Sequence, residues 1–444
     1  MIYKLRHFLD NYFPDAFTIA LLLTLFVILL GWVFQNESPI QMAVYWYEGF
    51  WGFLTFTLQM SLMLVFGSMI AKSTLVSKLL EQLIKKVNTP LKALYLTMVV
   101  TALITFINWG IGIIFGPVLT LTLKKNIPEI NSAHLIAAAY SMYVIVFPIS
   151  ISSTTPLLVN TPGHFLEDQI GLIPFSETIF APNAILTVVI TFVVLLIFFH
   201  VIVKKETVHG QKLQSHLRND VRKTRIKQEA VPPKTSFADQ LNNSKLLSHA
   251  LSFLALLAVT YILRNNARID FNLINFVLLF IGIALYGSPK QYVHAFTDNT
   301  SVMAGILLQF PFYSGIMGMI SGSGLINALI QWMTSFSTSW SFPLCVLFSS
   351  SLINFFIPAN GGQWLIAGEL ITSTGRSLSV SMGTTINAFN FGAFSSNFLQ
   401  PFWALPVLAL SGLSVRDIWG YCLFAFIVFF SISAVSISIL PTSW

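Results

Sequence analysis

Two stretches of the sequence decide the fold: ALITFINWGIGIIFGPVL at residues 102–119 and SSLINFFIPANGGQWLIAG at residues 350–368. Each is an apolar run with Asn, Gly or Pro at its centre, and each is followed by a second interruption, SISSTTPLLVNTPG at 150–163 and AFSSNFLQPFWALP at 393–406. The matching positions lie about 245 to 250 residues apart: Asn108 and Asn354, Pro156 and Pro401, Gln59 and Gln309, Leu75 and Leu325, Leu79 and Leu329. Unwound backbone in hydrocarbon is costly unless it faces protein or a polar cavity. The repetition therefore predicts two polar centres inside a membrane protein.

The composition places the chain in lipid. Of its 444 residues 55% are hydrophobic and 9% charged, with a mean hydropathy of +0.75, whereas soluble proteins carry about 25% charged residues. The first apolar run, residues 17–34, is longer than the core of a secretory signal, about 7–15 residues, and no cleavage site follows it, so we expect a retained span. Cys345 and Cys422 lie in apolar runs, which excludes a disulfide framework and a cysteine metal site.

The net charge of +7 is concentrated in one segment. Ten of the 24 basic residues lie between residues 203 and 246: Lys204, Lys205, Lys212, Arg218, Arg222, Lys223, Arg225, Lys227, Lys234 and Lys245. Such a run is typical of a solvated cytoplasmic linker, with a lipid-headgroup or partner site as the alternative. It predicts a first membrane repeat at 1–203, a linker at 204–247, and a second repeat at 248–444 that has one additional leading span.

Basic residues also predict the topology, because Lys and Arg accumulate on the cytoplasmic side. With Lys4 and Arg6 inside, lysine clusters at both ends of residues 91–123 indicate a re-entrant hairpin, and residues 342–374 form its counterpart. Nine full spans are predicted, at residues 17–34, 49–71, 133–150, 178–203, 248–263, 271–286, 301–321, 380–410 and 418–440. Since 49–71 runs inward and 301–321 outward, the two repeats are expected to be inverted. The fold class is an all-α polytopic membrane protein.

The candidate binding residues are the polar and glycine residues at the two hairpin tips and at the interruptions that follow them. They are Asn108, Gly110, Gly112, Ser152, Ser153, Thr154, Thr155 and Asn160 in the first half, and Asn354, Asn360, Gly361, Gly362, Gln363, Ser395, Ser396, Asn397 and Gln400 in the second. Glycine lets backbone approach a ligand closely, and a half-helix that begins beside a proline presents unpaired amides to an anion or a cation shell.

Each of these features has a purely structural alternative. Glycines also permit close helix packing, and membrane Ser and Thr often bond back to their own backbone. Because these glycines and polar residues recur in both halves of the sequence, a binding role is favoured over the structural alternatives. Glu369 is predicted to be either a proton carrier or a solvated acid. His134, His249 and His294 are expected at the ends of spans, and the role of His164 is not assigned.

The predicted spans place no Arg or Lys near a midplane, where such a charge would cost at least about 2.5–3.5 kcal/mol. An arginine clamp on a dicarboxylate is therefore not expected. A monocarboxylate, ionised at neutral pH because carboxyl pKa values lie near 4, needs only a helix end and neutral donors. No enzyme, nucleotide or metal motif occurs in a suitable context, so no catalytic residue, cofactor or nucleic-acid partner is expected beyond a coupling H⁺ or Na⁺.

The sequence resembles the bacterial short-chain fatty acid transporter family, of the acetoacetate and butyrate permease type, nearly from end to end. The resemblance lies in FPDAFTIALLLT, FWGFLTFTLQM, INWGIGIIFG, TPLLVNTPGH with GLIPFSETIF, GILLQFPFYSGI, LINFFIPANGGQW and QPFWALPVLALSGLSVRDIWGYC. It implies ion-coupled uptake of short-chain monocarboxylates across the bacterial cytoplasmic membrane. It also implies kinship with the wider ion-transporter superfamily, whose members have two inverted repeats with hairpins and broken helices and are typically dimers that move a transport domain like an elevator.

The resulting hypothesis puts the carboxylate between the hairpin tips and the half-helix ends at Thr155 and Asn397. The alkyl tail would lie against Trp109, Trp364 or Trp403, and H⁺ or Na⁺ would supply the drive. The alternatives are a carrier of another small anion such as a dicarboxylate, a cation/proton antiporter, and a membrane-embedded enzyme or signalling protein. These would require, respectively, a midplane Arg, an essential buried Asp, and a catalytic constellation or output domain.

Overall fold

The computed structural model describes residues 16–75, 78, 82, 84–164, 166–213, 236–265, 271–358, 360–400 and 402–442. Several features singled out in the sequence lie outside these ranges: Lys4, Arg6, Leu79, Arg268, Ala359, Pro401 and residues 214–235 of the basic linker.

Regular structure in the described part of the chain is helical. The α-helices are Ala16–Gln35, Pro39–Phe50, Leu54–Lys72, Pro90–Ile107, Trp109–Asn126, Ser132–Val146, Thr154–Val159, Glu167–Ile170, Pro182–Leu213, Phe237–Asn242, Lys245–Arg264, Phe271–Tyr286, Pro289–Asn299, Ala304–Gly322, Leu325–Thr334, Phe342–Asn354, Asn360–Ser377, Met382–Ser395, Ala404–Ser411 and Val415–Ile439. Short 3₁₀ segments are Phe147–Ile149, Phe175–Glu177, Thr300–Met303 and Ser396–Phe398.

Seven helical stretches in the described part are long and apolar enough to cross a bilayer. They are Phe17–Gln35, Pro90–Ile107, Ser132–Val159, Pro182–Lys205, Lys245–Arg264, Pro289–Gly322 and Val415–Ile439, and shorter apolar helices are Thr57–Ile70, Asn272–Tyr286 and Phe342–Asn354. The prediction of an all-α, multi-pass membrane protein is confirmed. The number of full crossings and the inversion of the repeats stay predictions.

Three helices of ten or more residues in the described part of the chain lie outside every predicted element: Pro39–Phe50, Pro289–Asn299 and Leu325–Thr334. The sequence analysis has no element between residues 34 and 49. Pro39–Phe50 forms there because the Ser38 hydroxyl caps it, accepting from Gln41 N at 3.0 Å, and Pro39 fits its first turn. The helix crosses Ala304–Gly322 closely, since a Cβ on Gly49 would lie 2.6 Å from Gly318 Cα. The following helix therefore begins only at Leu54, five residues after the start of the predicted span.

The first hairpin consists of Pro90–Ile107 and Trp109–Asn126, joined by the single residue Asn108. Asn108 is extended (φ −151°, ψ 117°), and its Oδ1 caps the second arm by accepting from Ile111 N at 3.1 Å. The arms are antiparallel: a Cβ on Gly112 would lie 2.2 Å from Thr105 Oγ1, and one on Gly116 would lie 3.3 Å from Thr101 Oγ1.

The second hairpin consists of Phe342–Asn354 and Asn360–Ser377. Its arms are also antiparallel, because Gln363 Nε2 donates to Ser350 O at 2.9 Å near the tip and Gly375 lies against the Phe342 ring near the base. Five residues rather than one separate these arms, so the second tip is the larger of the two.

A broken helix follows each hairpin. Ser132–Val146 runs into Phe147–Ile149 and resumes at Thr154–Val159, while Met382–Ser395 runs into Ser396–Phe398 and resumes at Ala404–Ser411. We call residues 147–153 the first break and residues 396–403 the second break. The first broken helix is the most enclosed of the seven crossing stretches, with 83% of its crossing window buried. In the second break Ser396, Asn397, Phe398, Gln400, Phe402 and Trp403 are buried; in the first break Phe147, Pro148, Ser150 and Ser153 are buried and Ile151 is exposed. Protein thus surrounds most of the unpaired backbone, as a membrane interior requires.

Candidate functional site

The tip of the first hairpin is bonded to the first break. Phe106 O accepts from Ile151 N at 3.0 Å and from Ser150 Oγ at 3.0 Å. On the other side of the tip, Trp109 N donates to Ser152 Oγ at 3.1 Å. The free backbone groups on both sides of Asn108 are therefore satisfied by unwound backbone and hydroxyls of the first break.

The tip of the second hairpin also reaches the first broken helix. Thr155 Oγ1 donates to Asn360 Oδ1 at 2.6 Å, and both residues are buried. A Cβ on Gly361 would lie 2.7 Å from Thr154 Cγ2. Glycine at 361 is therefore required for the close approach of the two halves.

The second hairpin contacts its own break through a chain of carboxamides. Asn354 Nδ2 donates to Ser396 Oγ at 2.9 Å and to Asn397 Oδ1 at 2.7 Å. Gln400 Nε2 donates to the same Asn397 Oδ1 at 2.9 Å, and Gln400 Oε1 accepts from Phe402 N at 2.8 Å. The Trp403 indole N–H donates to Pro358 O at 2.8 Å and closes the contact.

The two broken helices brace each other reciprocally. Tyr140 on the first donates its hydroxyl to Asn397 O in the second break at 2.7 Å. Asn390 on the second donates Nδ2 to Pro148 O at 2.9 Å and to Ser153 Oγ at 3.4 Å in the first break. Pro148 and Asn397 are the central residues of the 3₁₀ segments at the two breaks, so each break has one central carbonyl that is bound by the opposite half.

Sequence reasoning missed Tyr140 and Asn390, which carry this brace. The signal was present, because a polar side chain at the centre of an apolar membrane helix is expensive and marks a structural or binding role. Asn390 lies in such a run, NAFNFGAF at residues 387–394. A pattern of interruptions does not mark Asn390, because the helix is intact there.

Among the described residues, three buried carboxamides on the second hairpin and the second broken helix keep an atom without a hydrogen-bond partner: Asn360 Nδ2, Gln363 Oε1 and Asn390 Oδ1, in that order along the chain. All three side chains are at least nine-tenths buried, with exposures of 7%, 0% and 1%. A buried polar atom without a partner costs about 1–3 kcal/mol. Asn360 and Asn390 both contact the segment Ser153–Thr155, and together they present one free donor and one free acceptor beside it.

An aromatic cluster lies beside these groups. Trp109 stacks on Phe147 with ring centroids 4.6 Å apart and meets Trp403 edge-on at 5.4 Å. Phe147 also packs on Phe394 at 4.2 Å. The Trp364 ring instead packs on Phe389, with ring centroids 4.9 Å apart. Of the three tryptophans predicted to contact the alkyl tail of a substrate, Trp109 and Trp403 belong to this aromatic cluster.

Some candidate residues do not join this centre. Gly112 serves packing within the first hairpin, and a Cβ on Gly110 would have Asn108 Oδ1 as its nearest neighbour, at 3.2 Å. Asn160 ends the short helix Thr154–Val159 at the far side, and Gly362 lies in the first turn of the second arm. Ser395 bonds back to Gly392 O at 2.8 Å, with a longer contact of 3.4 Å to Ser351 Oγ.

The titratable candidates have structural partners. Glu369 is exposed and accepts from Gln169 Nε2 at 3.4 Å. His164 bonds within its own loop to Gly171 O at 3.1 Å, and His134, buried in the first turn of Ser132–Val146, bonds Tyr421 OH at 2.7 Å. Within the described ranges no three His, Cys, Asp or Glu side chains gather as metal ligands would.

Hairpins docked on broken helices, with neutral polar groups buried at the breaks, define a multi-pass membrane protein with a polar centre enclosed by protein. The chain matches the sequence profile of the short chain fatty acid transporter family over residues 1–440. It belongs to that family, and the predicted resemblance is confirmed.

Two relatives support this membership. One is a protein of Escherichia coli (strain K12) named as a candidate short-chain fatty acid transporter, 31% identical over 423 residues that cover 95% of each chain. Another, with the same name, is from Haemophilus influenzae (strain ATCC 51907 / DSM 11121 / KW20 / Rd) and is 30% identical over 428 residues, again 95% of each chain.

Solved structures show a weaker likeness. The YdaH transporter of Alcanivorax borkumensis is 14% identical with a TM-score of 0.43, covering 96% of this chain and 98% of that one. MtrF of Neisseria gonorrhoeae, described with a class of antimetabolite efflux pumps, is 13% identical with a TM-score of 0.42, covering 99% and 98%. These scores are too low to support an argument about fold or function.

Proposed function

We propose that this protein is a secondary active transporter of short-chain monocarboxylates, such as butyrate or acetoacetate, in the cytoplasmic membrane of a bacterium. Family membership supports the substrate class. The observation that carries the proposal is the pair of unpartnered carboxamide atoms, Asn360 Nδ2 and Asn390 Oδ1, buried beside Ser153–Thr155.

A carboxylate suits this arrangement because a buried donor without a partner gains most from an anionic acceptor. The Asn360 amide would donate to a carboxylate oxygen, and the start of the short helix Thr154–Val159 lies beside it. None of the candidate residues at the tips and breaks carries a charge. One negative charge on the substrate is therefore matched better than two, which favours a monocarboxylate over a dicarboxylate.

The alkyl tail would lie against the cluster of Trp109, Phe147 and Trp403. Burial of apolar surface contributes about 0.8 kcal/mol for each CH₂ group, so each carbon added to a short tail adds measurable affinity.

Transport would be driven by a gradient of H⁺ or Na⁺. The coupling ion would be bound by Asn390 Oδ1 and by the hydroxyls of Ser153 and Thr154. We further propose inverted repeats, an elevator-like exchange of access, a homodimer, and a cytoplasmic N-terminus and linker. A matched element order in the two halves, hairpin then broken helix, supports the repeats. The division into 1–203, 204–247 and 248–444 follows from the same proposal.

The test is uptake of radiolabelled butyrate into proteoliposomes that contain the purified full-length protein, with a proton or a sodium gradient imposed separately. We expect accumulation above equilibrium with one of the two gradients, and competition by acetoacetate but not by succinate. Accumulation that neither gradient drives, or equal competition by succinate, would contradict the proposal. Empty liposomes and the same vesicles without a gradient serve as controls.

A further inference from the structure

The first arm of the first hairpin lies against the helix Pro182–Leu213, outside the polar centre. Near the start of the arm, the Tyr95 hydroxyl bonds His200 Nδ1, which lies near the end of the crossing part of the neighbouring helix. At the other end of the arm, the Phe106 ring packs on Phe180, just before the neighbouring helix begins, with ring centroids 6.4 Å apart. The two helices are therefore antiparallel neighbours over most of the arm.

Both helices expose an apolar ladder beside this contact. Residues four apart lie on one face of a helix. The ladders are Tyr95, Val99, Leu103 and Ile107 on the hairpin arm and Val193, Ile197 and Val201 on the neighbouring helix, and each side chain is between 37% and 60% exposed. From Tyr95 to Ile107 the arm rises about 18 Å, close to the roughly 15 Å of hydrocarbon in one leaflet of a bilayer. The ladders therefore match the length of a lipid acyl chain.

The end of this surface that holds Tyr95 and His200 is basic. Lys92 lies one turn before Tyr95, Lys205 continues the ladder of the neighbouring helix by one turn, and both lysines are exposed. Lys92 Nζ donates to the neutral Asn88 Oδ1 at 3.0 Å, and neither lysine forms an ion pair with a described side chain. Lysines also outnumber acids in the adjoining sequence, with Lys85, Lys86, Lys124, Lys125 and Lys204 against Glu129 and Glu206. We call the two ladders, with Lys92 and Lys205 at their end, the Tyr95–His200 surface.

The hydrogen-bonded pair adds a polar contact at the same edge. The Tyr95 and His200 rings are stacked, with centroids 6.0 Å apart and planes 9° apart. With the Tyr95 hydroxyl donating to Nδ1, the neutral imidazole carries its hydrogen on Nε2, which can donate to a phosphate oxygen. Tyrosine and lysine are typical of membrane interfaces, and the charge pattern predicts that this one is cytoplasmic.

Exposure alone does not mark such a surface. Lys245–Arg264 is the least buried of the seven crossing stretches in the described part of the chain, with 11% of its crossing window buried. It also begins at a lysine, but its histidine, His249, bonds back to Lys245 O at 2.7 Å within the same helix. The Tyr95–His200 surface differs because two helices supply its lysines and its polar pair.

We propose that the Tyr95–His200 surface binds one anionic phospholipid of the cytoplasmic leaflet. Lys92, Lys205 and the His200 Nε2–H hold the phosphate, and the acyl chains lie along the two ladders. Basic pockets between helices at the cytoplasmic side of a membrane are typical sites for such headgroups. The lipid bridges the hairpin arm and its neighbour, so it should stabilise the folded protein. It would bind whichever anion the polar centre transports.

The experiment measures lipid retention by the purified full-length protein in native mass spectrometry, with phosphatidylglycerol and phosphatidylcholine of the same acyl chains as probes. Wild type should retain phosphatidylglycerol in preference to phosphatidylcholine. The double variant Lys92→Gln/Lys205→Gln should bind phosphatidylglycerol roughly 10- to 30-fold more weakly, because each lysine beside an anionic headgroup contributes a factor of about five. Lys92→Arg/Lys205→Arg keeps both charges and should bind as wild type. Lys245→Gln/Lys290→Gln removes two exposed lysines at the face predicted to be cytoplasmic and is the matched control, which should also bind as wild type.

Thermal unfolding in detergent is a second readout that is independent of transport. Phosphatidylglycerol should raise the Tm of wild type and of the matched control several degrees more than phosphatidylcholine does. The Lys92→Gln/Lys205→Gln protein should lose most of this difference, while its Tm without lipid stays close to that of wild type. Equal retention of the two lipids by wild type, or an equal loss of binding in the matched control, would overturn the site. An equal rise of Tm with inorganic phosphate would overturn it in favour of an anion site without lipid. Dissociation of copies in the double glutamine variant without loss of lipid would overturn it in favour of a contact between copies of this chain.

Discussion

The first and second breaks have the same order of elements and use their polar side chains differently. At the second break Asn354, Asn397 and Gln400 form a chain that ends on the Phe402 amide, and none of their side-chain atoms is among the buried polar atoms that lack a partner in the described part of the chain. At the first break hydroxyls replace the carboxamides. Asn390 reaches this break at Ser153 and Asn360 reaches Thr155 just after it, and each keeps one atom without a partner among the described residues.

This difference in hydrogen bonding indicates a structural role for the second break and a binding role for the first. A buried polar network whose members are all satisfied makes a rigid support. A buried donor and acceptor that lack partners are costly for stability and are retained where a ligand completes them. We therefore expect the second break to position the second hairpin, and the first break to contact the substrate and its coupling ion.

The sharpest test of this division is Asn360→Ala. If Asn360 Nδ2 donates to the substrate carboxylate, its loss removes a charge-assisted hydrogen bond of about 1.5–3 kcal/mol, and butyrate uptake should fall roughly 10- to 100-fold. The protein should still fold, with a loss of stability of about 1–3 kcal/mol at most, because the buried Thr155 hydroxyl loses its acceptor. Asn160→Ala, the same substitution at the other end of the short helix, should retain uptake. Folded Asn360→Ala protein that transports within about twofold of wild type would refute the division.

A substitution that disturbs the packing of the second broken helix should lower the stability of the protein rather than its affinity for substrate. A Cβ on Gly392 would lie 2.0 Å from Ser350 Oγ and 2.1 Å from Leu347 O, where backbone has little freedom to move. Gly392→Ala should therefore destabilise the protein by about 1–3 kcal/mol or more through overpacking. Thermal unfolding in detergent measures this. Gly110→Ala in the first half, whose nearest atom would be 3.2 Å away, should unfold close to wild type; equal losses in the two variants would remove the contrast in packing.

The tip asparagines Asn108 and Asn354 allow a direct comparison of the two hairpins. Asn108→Ala removes a helix N-cap, typically about 1 kcal/mol. Asn354→Ala removes bonds to Ser396 and Asn397 and should cost about 1–3 kcal/mol. Both variants should depress uptake while membrane insertion, followed by quantitative immunodetection in the membrane fraction, stays normal. Unchanged uptake in both would refute the assignment of the tips to the site.

Much of this architecture could be predicted from the sequence, because glycine, proline and asparagine inside apolar runs have few explanations in a membrane. The pattern locates both tips and both breaks. What could not be predicted is the partner of each side chain: Asn108 caps its own helix, whereas Asn354 reaches the next one. Asn390 and Tyr140 were missed because they lie in the intact parts of the two broken helices and act across about 240 to 260 residues of sequence. The helix Pro39–Phe50 was missed because it is short and packs on another helix rather than crossing the membrane.

The smallest expected effect on stability comes from two hydroxyls, Ser152 in the first break and Ser395 at the end of the helix that precedes the second break. Ser152 Oγ accepts from Trp109 N, and no intrahelical carbonyl serves that amide at the start of its helix, so Ser152→Ala should cost about 1 kcal/mol. Ser395 donates to Gly392 O, which lies in its own helix and keeps its backbone role, so Ser395→Ala should cost less than about 0.5 kcal/mol. Ser152→Thr keeps the acceptor and should restore stability at the first break, which distinguishes loss of the bond from loss of volume. Thermal unfolding of the three variants side by side gives the ranking, and a larger loss for Ser395→Ala than for Ser152→Ala would mean that the hydroxyl at the end of Met382–Ser395, not the one in the first break, contributes more to stability.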